Sequence, residues 1–254
     1  MSSKIITVVN QKGGVGKTTT AVNLGAYLAR LGKFILLVDI DPQANATSGL
    51  GFDYHNIASG VYEAIMGDAP VRDHIVTTAI NGYALIPATP SLAGANVELV
   101  SVEDREFRLH KTLAEVQNDY DYIIIDCPPS LGLLTVNGLA AADTVLIPVQ
   151  SEYYALEGLG QLLETVTLVQ QHLKPDLSIL GAVITMYDKR TKLSHQVLHE
   201  LYQYFPNKIF RSVIPRSVRL AESPSHGVPV VLYDAKSKGA RAYEKLTREI
   251  LELI

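Results

Sequence analysis

The sequence predicts a doubly wound α/β fold, in which a mostly parallel sheet carries helices on both faces. Two observations lead to this prediction. Runs rich in Ile, Val and Leu are continuous rather than alternating, as in strands buried on both faces. Helix-like segments separate these runs, and such alternation is typical of a parallel sheet. We interpret 1–254 as a single domain, because no linker or internal repeat interrupts it.

The predicted elements follow one another along the chain. Seven apolar runs have the composition of buried strands, at 4–9, 34–41, 83–88, 121–126, 144–149, 177–185 and 209–215. Helices are expected between and after them, at 18–31, 59–66, 104–118, 131–141, 155–172, 193–204 and 237–253. In the first helix, Leu24, Leu28 and Leu31 recur at helical spacing, and Gly32 stands where a C-terminal cap belongs.

Composition and charge narrow the classes of protein. Hydrophobic residues make up 47% of the chain and charged residues 19%, which favours a large core over disorder. The single cysteine, Cys127, excludes a disulfide or a thiolate zinc cluster within one chain. The net charge is −4, but 186–254 holds twelve Lys and Arg against seven Asp and Glu. This asymmetry indicates either a basic face or an uneven scatter of helix-surface charges.

A glycine-rich stretch, NQKGGVGKTTT, joins the first predicted strand to the first predicted helix. Its glycines let backbone N–H groups and the positive end of the helix form an anion nest. Lys17 is expected to reach the β- and γ-phosphates, and the Thr18 hydroxyl to bind Mg²⁺. The predicted nucleotide contacts of this loop are Lys12, Gly13, Gly14, Val15, Gly16, Lys17, Thr18 and Thr19.

Three aspartates at predicted strand ends supply candidate carboxylates. Asp39 and Asp41 end the second run, and Asp126 ends the run YDYIIID. Residues two apart in a strand share a face, and ligands bind at the carboxyl edge of a parallel sheet. We expect Asp39 and Asp126 to organise Mg²⁺ and Asp41, nearer the strand tip, to orient the attacking water. For Asp126, capping of the next turn is the alternative.

The loop departs from the strict pattern G-x-x-x-x-G-K-[ST], because Gln11 takes the place of the first glycine and Lys12 adds a second lysine. The variant K-G-G-x-G-K-T resembles the deviant P-loop ATPases, which include ParA and MinD proteins and the nitrogenase iron protein. This resemblance implies that Lys12 reaches across a dimer to the partner's nucleotide. There a second positive charge would offset negative charge that develops on the transferring phosphoryl group.

Longer stretches extend the resemblance over nearly the whole chain. LLVDIDPQANATSGLG, YDYIIIDCPPSLGLLTVNGL and VIPRSVRLAESPSHGVPVVLYD resemble the ParA/Soj-type chromosome partition ATPases. The resemblance implies ATP or ADP with Mg²⁺, an ATP-dependent sandwich homodimer, and non-specific binding to double-stranded DNA. It also implies a ParB-type partner that stimulates hydrolysis and DNA release, in a cytoplasmic, nucleoid-associated protein. Segregation and control of replication initiation both stay open as the main role.

The same resemblance assigns residues outside the loop. The family's DNA-contacting arginines match Arg190, in YDKRT, and Arg219, in SVRLAE, both within the basic last part of the chain. Its adenine contacts match Pro215 and Ser217, where Ser217 is shorter than the Asn that family members often carry. A phosphate-neutralising patch would bind DNA without reading its sequence, and binding would weaken steeply with salt.

A membrane-cycling positioning ATPase, like MinD, is the alternative function. The tail ARAYEKLTREILELI places Tyr243, Leu246, Ile250 and Leu253 at helical spacing, as a membrane-binding helix would. The tail also carries three glutamates, and nothing basic follows Arg248, so anionic lipid is a poor partner. We therefore expect this helix to pack on the core and expect no membrane partner.

Overall fold

A seven-stranded sheet forms the centre of the molecule, in a computed structural model that describes residues 3–152 and 157–254. The strands are Lys4–Val8 (β1), Ile35–Asp39 (β2), Val76–Thr77 (β3), Tyr83–Ile86 (β4), Tyr122–Asp126 (β5), Thr144–Gln150 (β6) and Ser178–Thr185 (β7). Their order is β3-β4-β2-β5-β1-β6-β7. Every neighbouring pair is parallel except β3 with β4, which is antiparallel at one edge. This is the mostly parallel sheet that the continuous apolar runs predict.

Eleven α-helices occur within the described ranges. They are Lys17–Arg30 (α1), Asn45–Gly49 (α2), Val61–Met66 (α3), Ala95–Glu98 (α4), Arg108–Ala114 (α5), Leu133–Ala141 (α6), Glu157–His172 (α7), Lys192–Tyr204 (α8), Val218–Glu222 (α9), Val230–Tyr233 (α10) and Lys238–Leu251 (α11). All seven predicted helices have a counterpart, and the first two residues of the one predicted at 155–172 lie outside the described ranges.

Two separate apolar cores cover the two faces of the sheet. Ile123 and Ile125 of β5 belong to one core, which also holds residues of α5, α6 and α7. Ile124, between them, points to the other core, which is completed by α1, α10 and α11. Because successive strand residues face opposite sides, a strand buried on both faces must be apolar throughout. The prediction of helices on both faces is thereby confirmed.

The prediction of a regular strand at 209–215 is wrong. Only isolated bridges form at its two ends, beside β7. Between them, the backbone N–H groups of Arg211 and Ser212 donate to the two carboxylate oxygens of Glu249, at 2.7 and 2.9 Å. Since those donors are taken by a side chain of α11, they cannot continue a ladder with β7. An apolar run alone could not reveal this competition.

The helix predicted at 104–118 is shorter in the structure, where α5 covers seven residues. Asp104 has a φ of 52°, a left-handed conformation that a right-handed helix cannot include. The sequence analysis also missed α2, α4, α9, α10 and β3, each five residues or fewer. Elements of that length give no measurable periodicity.

The C-terminal helix packs on the core as expected. Tyr243, Leu246 and Ile250 of α11 are each no more than 1% exposed, whereas Leu253, beyond the helix end, is 61% exposed. The Tyr243 hydroxyl lies 3.1 Å from the Thr20 hydroxyl and so joins α11 to α1. In the described part of the chain, no helix is long and apolar enough to cross a membrane.

Candidate functional site

A cleft of about 380 Å³ opens beyond the carboxyl ends of the central strands. Val8 of β1 and Asp39 of β2 are both in register with Asp126 of β5, so these strands end at one level. The glycine-rich loop and the start of α1 form one side of the cleft. Its size lies within the range of pockets that hold a small-molecule ligand.

The glycine-rich loop depends on two left-handed glycines. Gly14 has a φ of 73° and Gly16 a φ of 87°, and Gly16 directly precedes α1. A side chain at either position would strain the backbone. Neighbouring strands fix the loop: Asn10 donates to the Pro148 carbonyl at 2.7 Å, and Thr185 of β7 donates to the Val15 carbonyl at 2.7 Å. The first N–H groups of α1 have no partner within the helix, so they are available to an anion.

Lys17 is a buried cation, 6% exposed, at the first position of α1. Its Nζ donates to the Lys12 carbonyl at 3.2 Å, across the loop. Burial lowers the pKa of the Lys17 ammonium, while nearby Asp126 and Asp41 oppose that shift. Among the described residues, no carboxylate forms a hydrogen bond or ion pair with the Lys17 ammonium. A buried cation of this kind is a favourable site for a phosphate group.

Asp126 is the residue with the least satisfied carboxylate at this site. Both oxygens are fully buried, and neither accepts a hydrogen bond of good geometry within the described residues. Burial and then Asp39 raise the pKa of Asp126 well above its usual range, although the Thr18 hydroxyl and Lys17 are near enough to oppose this. A divalent cation would favour the ionised form. An orphaned carboxylate beside a threonine hydroxyl fits the oxygen ligands that Mg²⁺ prefers.

Asp39 is satisfied by the protein itself. Its Oδ2 accepts from the Thr47 backbone N–H at 2.8 Å and from the Thr47 hydroxyl at 2.7 Å, and its Oδ1 accepts from the Asp41 N–H at 3.2 Å. Burial raises the pKa of Asp39 to about 6 against these hydrogen bonds. In this structure Asp39 therefore anchors the loop after β2, and its role at Mg²⁺ stays a prediction.

Asp41 and Lys12 lie on different parts of the site. Asp41 lines the cleft, where its Oδ1 accepts from the Gln43 N–H at 3.0 Å. Lys12 is not part of the cleft lining, and its Nζ lies 3.8 Å from the Glu152 carboxylate at the surface. Its side chain is 34% exposed. Lys12 therefore faces away from the cleft beside it.

The far wall of the cleft was not found from the sequence. Met186, Ser223, Pro224, Val228 and Pro229 form it. Apart from Met186, which follows β7, these residues belong to a segment tied to α1, because the Val230 N–H donates to Asn23 Oδ1 at 2.8 Å. The mainly apolar lining suits the flat face of a base. The dipeptides Ser-Pro and Val-Pro mark only a loop, so no residue pattern pointed here.

Pro215 and Ser217, the expected adenine contacts, lie outside that lining. Pro215 borders a different groove, and Ser217 stands directly before α9 without a capping hydrogen bond from its side chain. The contact of Pro215 and Ser217 with adenine therefore stays a prediction.

The two candidate DNA-binding arginines are also in different settings. Arg190 is 84% exposed and pairs with Asp188 at 2.7 Å. Arg219 pairs with Glu222 at 2.9 Å and with Asp234 at 3.4 Å. Arg190 borders a groove with other cations, whereas Arg219 is not part of that groove's lining.

Comparisons with known proteins agree with this fold. A family model described as an AAA domain matches residues 3–179. The sporulation initiation inhibitor protein Soj of Bacillus subtilis is 58% identical over 247 residues, covering 97% of this chain and 98% of that protein. The chromosome partitioning protein ParA of Myxococcus xanthus is 54% identical over 249 residues, covering 98% and 88%.

A solved structure is also similar over almost the full length. It is cobyrinic acid a,c-diamide synthase from Mycobacterium smegmatis with bound ADP and magnesium, with a TM-score of 0.88, 41% identity, and coverage of 98% of this chain and 94% of that one. The fold, the glycine-rich loop and the full-length identity to Soj and ParA lead to one assignment. The chain belongs to the ParA/Soj family of chromosome-partitioning ATPases.

Proposed function

We propose that this chain is a chromosome-partition ATPase in which ATP and Mg²⁺ in the cleft control a homodimer that binds DNA without sequence preference. One observation carries the proposal: the Asp126 carboxylate is buried near Lys17 and Thr18 and accepts no hydrogen bond of good geometry from the described residues, next to a loop with two left-handed glycines. The identity of 58% to Soj over nearly the full length supports the partition role. The Mycobacterium smegmatis protein bears the name of a different activity, at a lower identity of 41%.

Each residue of the cleft has a distinct task in this proposal. Lys17 and the N–H groups of α1 bind the phosphates, and burial strengthens their attraction because the local dielectric is low. Thr18 and Asp126 hold Mg²⁺, which when bound neutralises phosphate charge. Asp41, which lines the cleft, holds the water that attacks the γ-phosphate.

Lys12 is the residue that links nucleotide binding to the proposed homodimer. Its side chain leaves the cleft on its own subunit and stands at the surface beside Glu152. An exposed ion pair at 3.8 Å contributes little, on the order of 0–1 kcal/mol, and is readily exchanged for a stronger partner. We propose that this partner is the phosphate chain bound to a second copy. Hydrolysis would then depend on dimerisation, and a ParB-type protein would stimulate it.

The test is co-sedimentation of the full chain with double-stranded DNA and, separately, with phosphatidylglycerol vesicles, each with ATP, with ADP and without nucleotide. We expect the protein to sediment with DNA when ATP is present, and not to sediment with the vesicles under any of the three conditions. Asp41→Ala should keep ATP binding and DNA binding and lose phosphate release, because only the attacking water is left unplaced. Lys12→Ala should keep ATP binding and lose phosphate release together with dimers.

Three results would contradict the proposal. Sedimentation with vesicles but not with DNA would favour the membrane-cycling alternative. Equal DNA binding with and without ATP would remove the switch, and phosphate release by Asp41→Ala at the wild-type rate would remove the assigned water-holding role. Asp73→Ala is the matched control for Asp41→Ala, since it removes an exposed carboxylate that lies outside the linings of the cleft and of the groove beside Arg190.

A further inference from the structure

A basic groove lies on the surface formed after β7 and along α11. Its volume is about 1040 Å³. The loops contribute Lys189 and Arg190 after β7, and Arg211 and Arg216 from the segment that fails to form a strand. Among the described residues, Asp188 is the only acidic one that lines this groove, and the Glu249 carboxylate lies at its edge, against the backbone of Arg211 and Ser212. The groove is therefore the place where the excess positive charge of the last part of the chain is gathered.

Helix α11 supplies a row of cations that the sequence analysis did not single out. Lys238, Arg241 and Lys245 all border the groove and are all exposed. They stand at positions i, i+3 and i+7, so they share one face of the helix. The opposite face, with Tyr243 and Leu246, is buried against α1 and the sheet. The core therefore fixes the direction in which the row points.

This row differs from the two arginines that the family resemblance assigns. Within the described ranges, none of its three cations forms an ion pair, and it brings three uncompensated positive charges. Arg219 has Glu222 and Asp234 within 3.4 Å, so that cluster is negative by one charge. Arg190 is balanced by Asp188. A polyanion is attracted to summed local charge, not to single arginines.

We propose that the row Lys238, Arg241 and Lys245 is a principal phosphate-binding edge for double-stranded DNA, and that Arg219 contributes less. This inference rests on the DNA binding proposed above, and it identifies the part of the protein surface that contacts the DNA. The row spans about 10 Å of helix. One DNA strand presents a phosphate about every 3.4 Å along the axis, so three cations match about three phosphates. No base-reading group is needed for such contacts.

The experiment measures affinity for a fluorescently labelled DNA duplex by anisotropy, with ATP and Mg²⁺, across a potassium chloride series. The variant carries Lys238→Gln, Arg241→Gln and Lys245→Gln. The slope of the logarithm of the binding constant against the logarithm of the salt concentration should decrease in magnitude by about 2 to 3. Each lost phosphate contact removes about 0.9 of this salt slope. Affinity near about 0.1 M salt should fall on the order of a hundredfold. Arg219→Gln should change the slope by less than about 0.9.

Two controls separate contact from net charge and from misfolding. A matched triple, Arg30→Gln, Arg72→Gln and Lys111→Gln, removes the same charge outside the groove lining. It should leave the slope within about 1 of wild type. Lys238→Arg with Lys245→Arg keeps the charges and should keep the slope. Lys238→Gln alone, at the exposed first position of α11, should lower it by about 0.9 without affecting the fold.

The outcomes distinguish the two proposals. If wild type binds DNA with ATP and the α11 triple changes the slope no more than the matched triple, this inference is overturned and the proposed function stands. If wild type does not bind DNA, both fail. If the α11 triple loses binding to phosphatidylglycerol vesicles and not to DNA, the row serves lipid and the inference is again overturned.

Discussion

The nucleotide cleft and the basic groove use opposite means to attract an anion. The cleft relies on buried groups: Lys17 and Asp126 are each no more than 6% exposed, and their positions are set by the start of α1 and the end of β5. The groove relies on exposed cations from three segments that are distant in the chain. A buried charge interacts more strongly with a bound anion, because the local dielectric is low, and its position tolerates less change. An exposed patch attracts an anion through the sum of its charges. Substitutions should therefore act sharply at the cleft and in small, additive steps at the groove.

The largest effect is expected for Lys17→Ala. This change removes the buried ammonium at the start of α1 and leaves the phosphates without their main cation. Nucleotide binding should fall by two or more orders of magnitude, measured by titration with a fluorescent ATP analogue. Lys12→Ala is the matched control, since it removes a lysine of the same loop that lies outside the cleft lining. If both variants lost nucleotide affinity equally, Lys12 would belong to the nucleotide site of its own subunit. The assignment of Lys12 to the surface and Lys17 to the cleft would then be wrong.

The loop and the carboxylates of the cleft were predictable from the sequence because each directly follows or ends an apolar strand. The loop follows β1 directly, Asp39 and Asp126 end β2 and β5, and parallel strands must end at the same edge. Two features could not be predicted. Asp39 accepts hydrogen bonds from Thr47, eight residues away, and residues between 223 and 229 line the cleft. Both depend on tertiary packing that no local pattern encodes.

From the sequence, the groove could be predicted only as an excess of positive charge in the last part of the chain, without its location on the surface. Charge counting placed the basic residues after 185 and could not tell which of them share a surface. Arg190 and Arg219 are both conspicuous in sequence, yet only Arg190 borders the groove. The α11 row becomes visible once the buried face of the helix is known. The side-chain interaction of Glu249 with the backbone at 211 and 212 was equally hidden, and it also explains the missing strand.

An intermediate effect is expected at the far wall of the cleft. Gly227 and Gly14 both have positive φ, so Ala costs about 1–2 kcal/mol at either. At Gly227 the new Cβ would also lie 2.6 Å from the Gly51 Cα, whereas at Gly14 nothing lies within 4 Å. Overpacking against backbone adds about 1–3 kcal/mol. Urea unfolding should therefore show a clearly larger loss for Gly227→Ala than for Gly14→Ala. Equal losses would mean that the far wall yields easily and is less rigid than the loop.

The smallest effect is expected for Glu249→Ala, which tests how the groove keeps its shape. The Glu249 carboxylate accepts from the N–H groups of Arg211 and Ser212 at the exposed edge of the groove. Its loss should cost about 1–2 kcal/mol of unfolding free energy, because both donors can turn to water instead. Amide exchange at these two positions should accelerate, and the salt slope of DNA binding should fall by less than about 1, since Arg211 and Arg216 lose their fixed place.

Glu249→Gln keeps one acceptor oxygen and serves as the matched control for this last variant. It should retain part of the amide protection at Arg211 and Ser212 and most of the salt slope. Unchanged protection in Glu249→Ala would mean that β7 and the core hold this segment without the side chain of α11. The groove would then be as rigid as the cleft, and its smaller response to substitution would come from solvent screening of its charges alone.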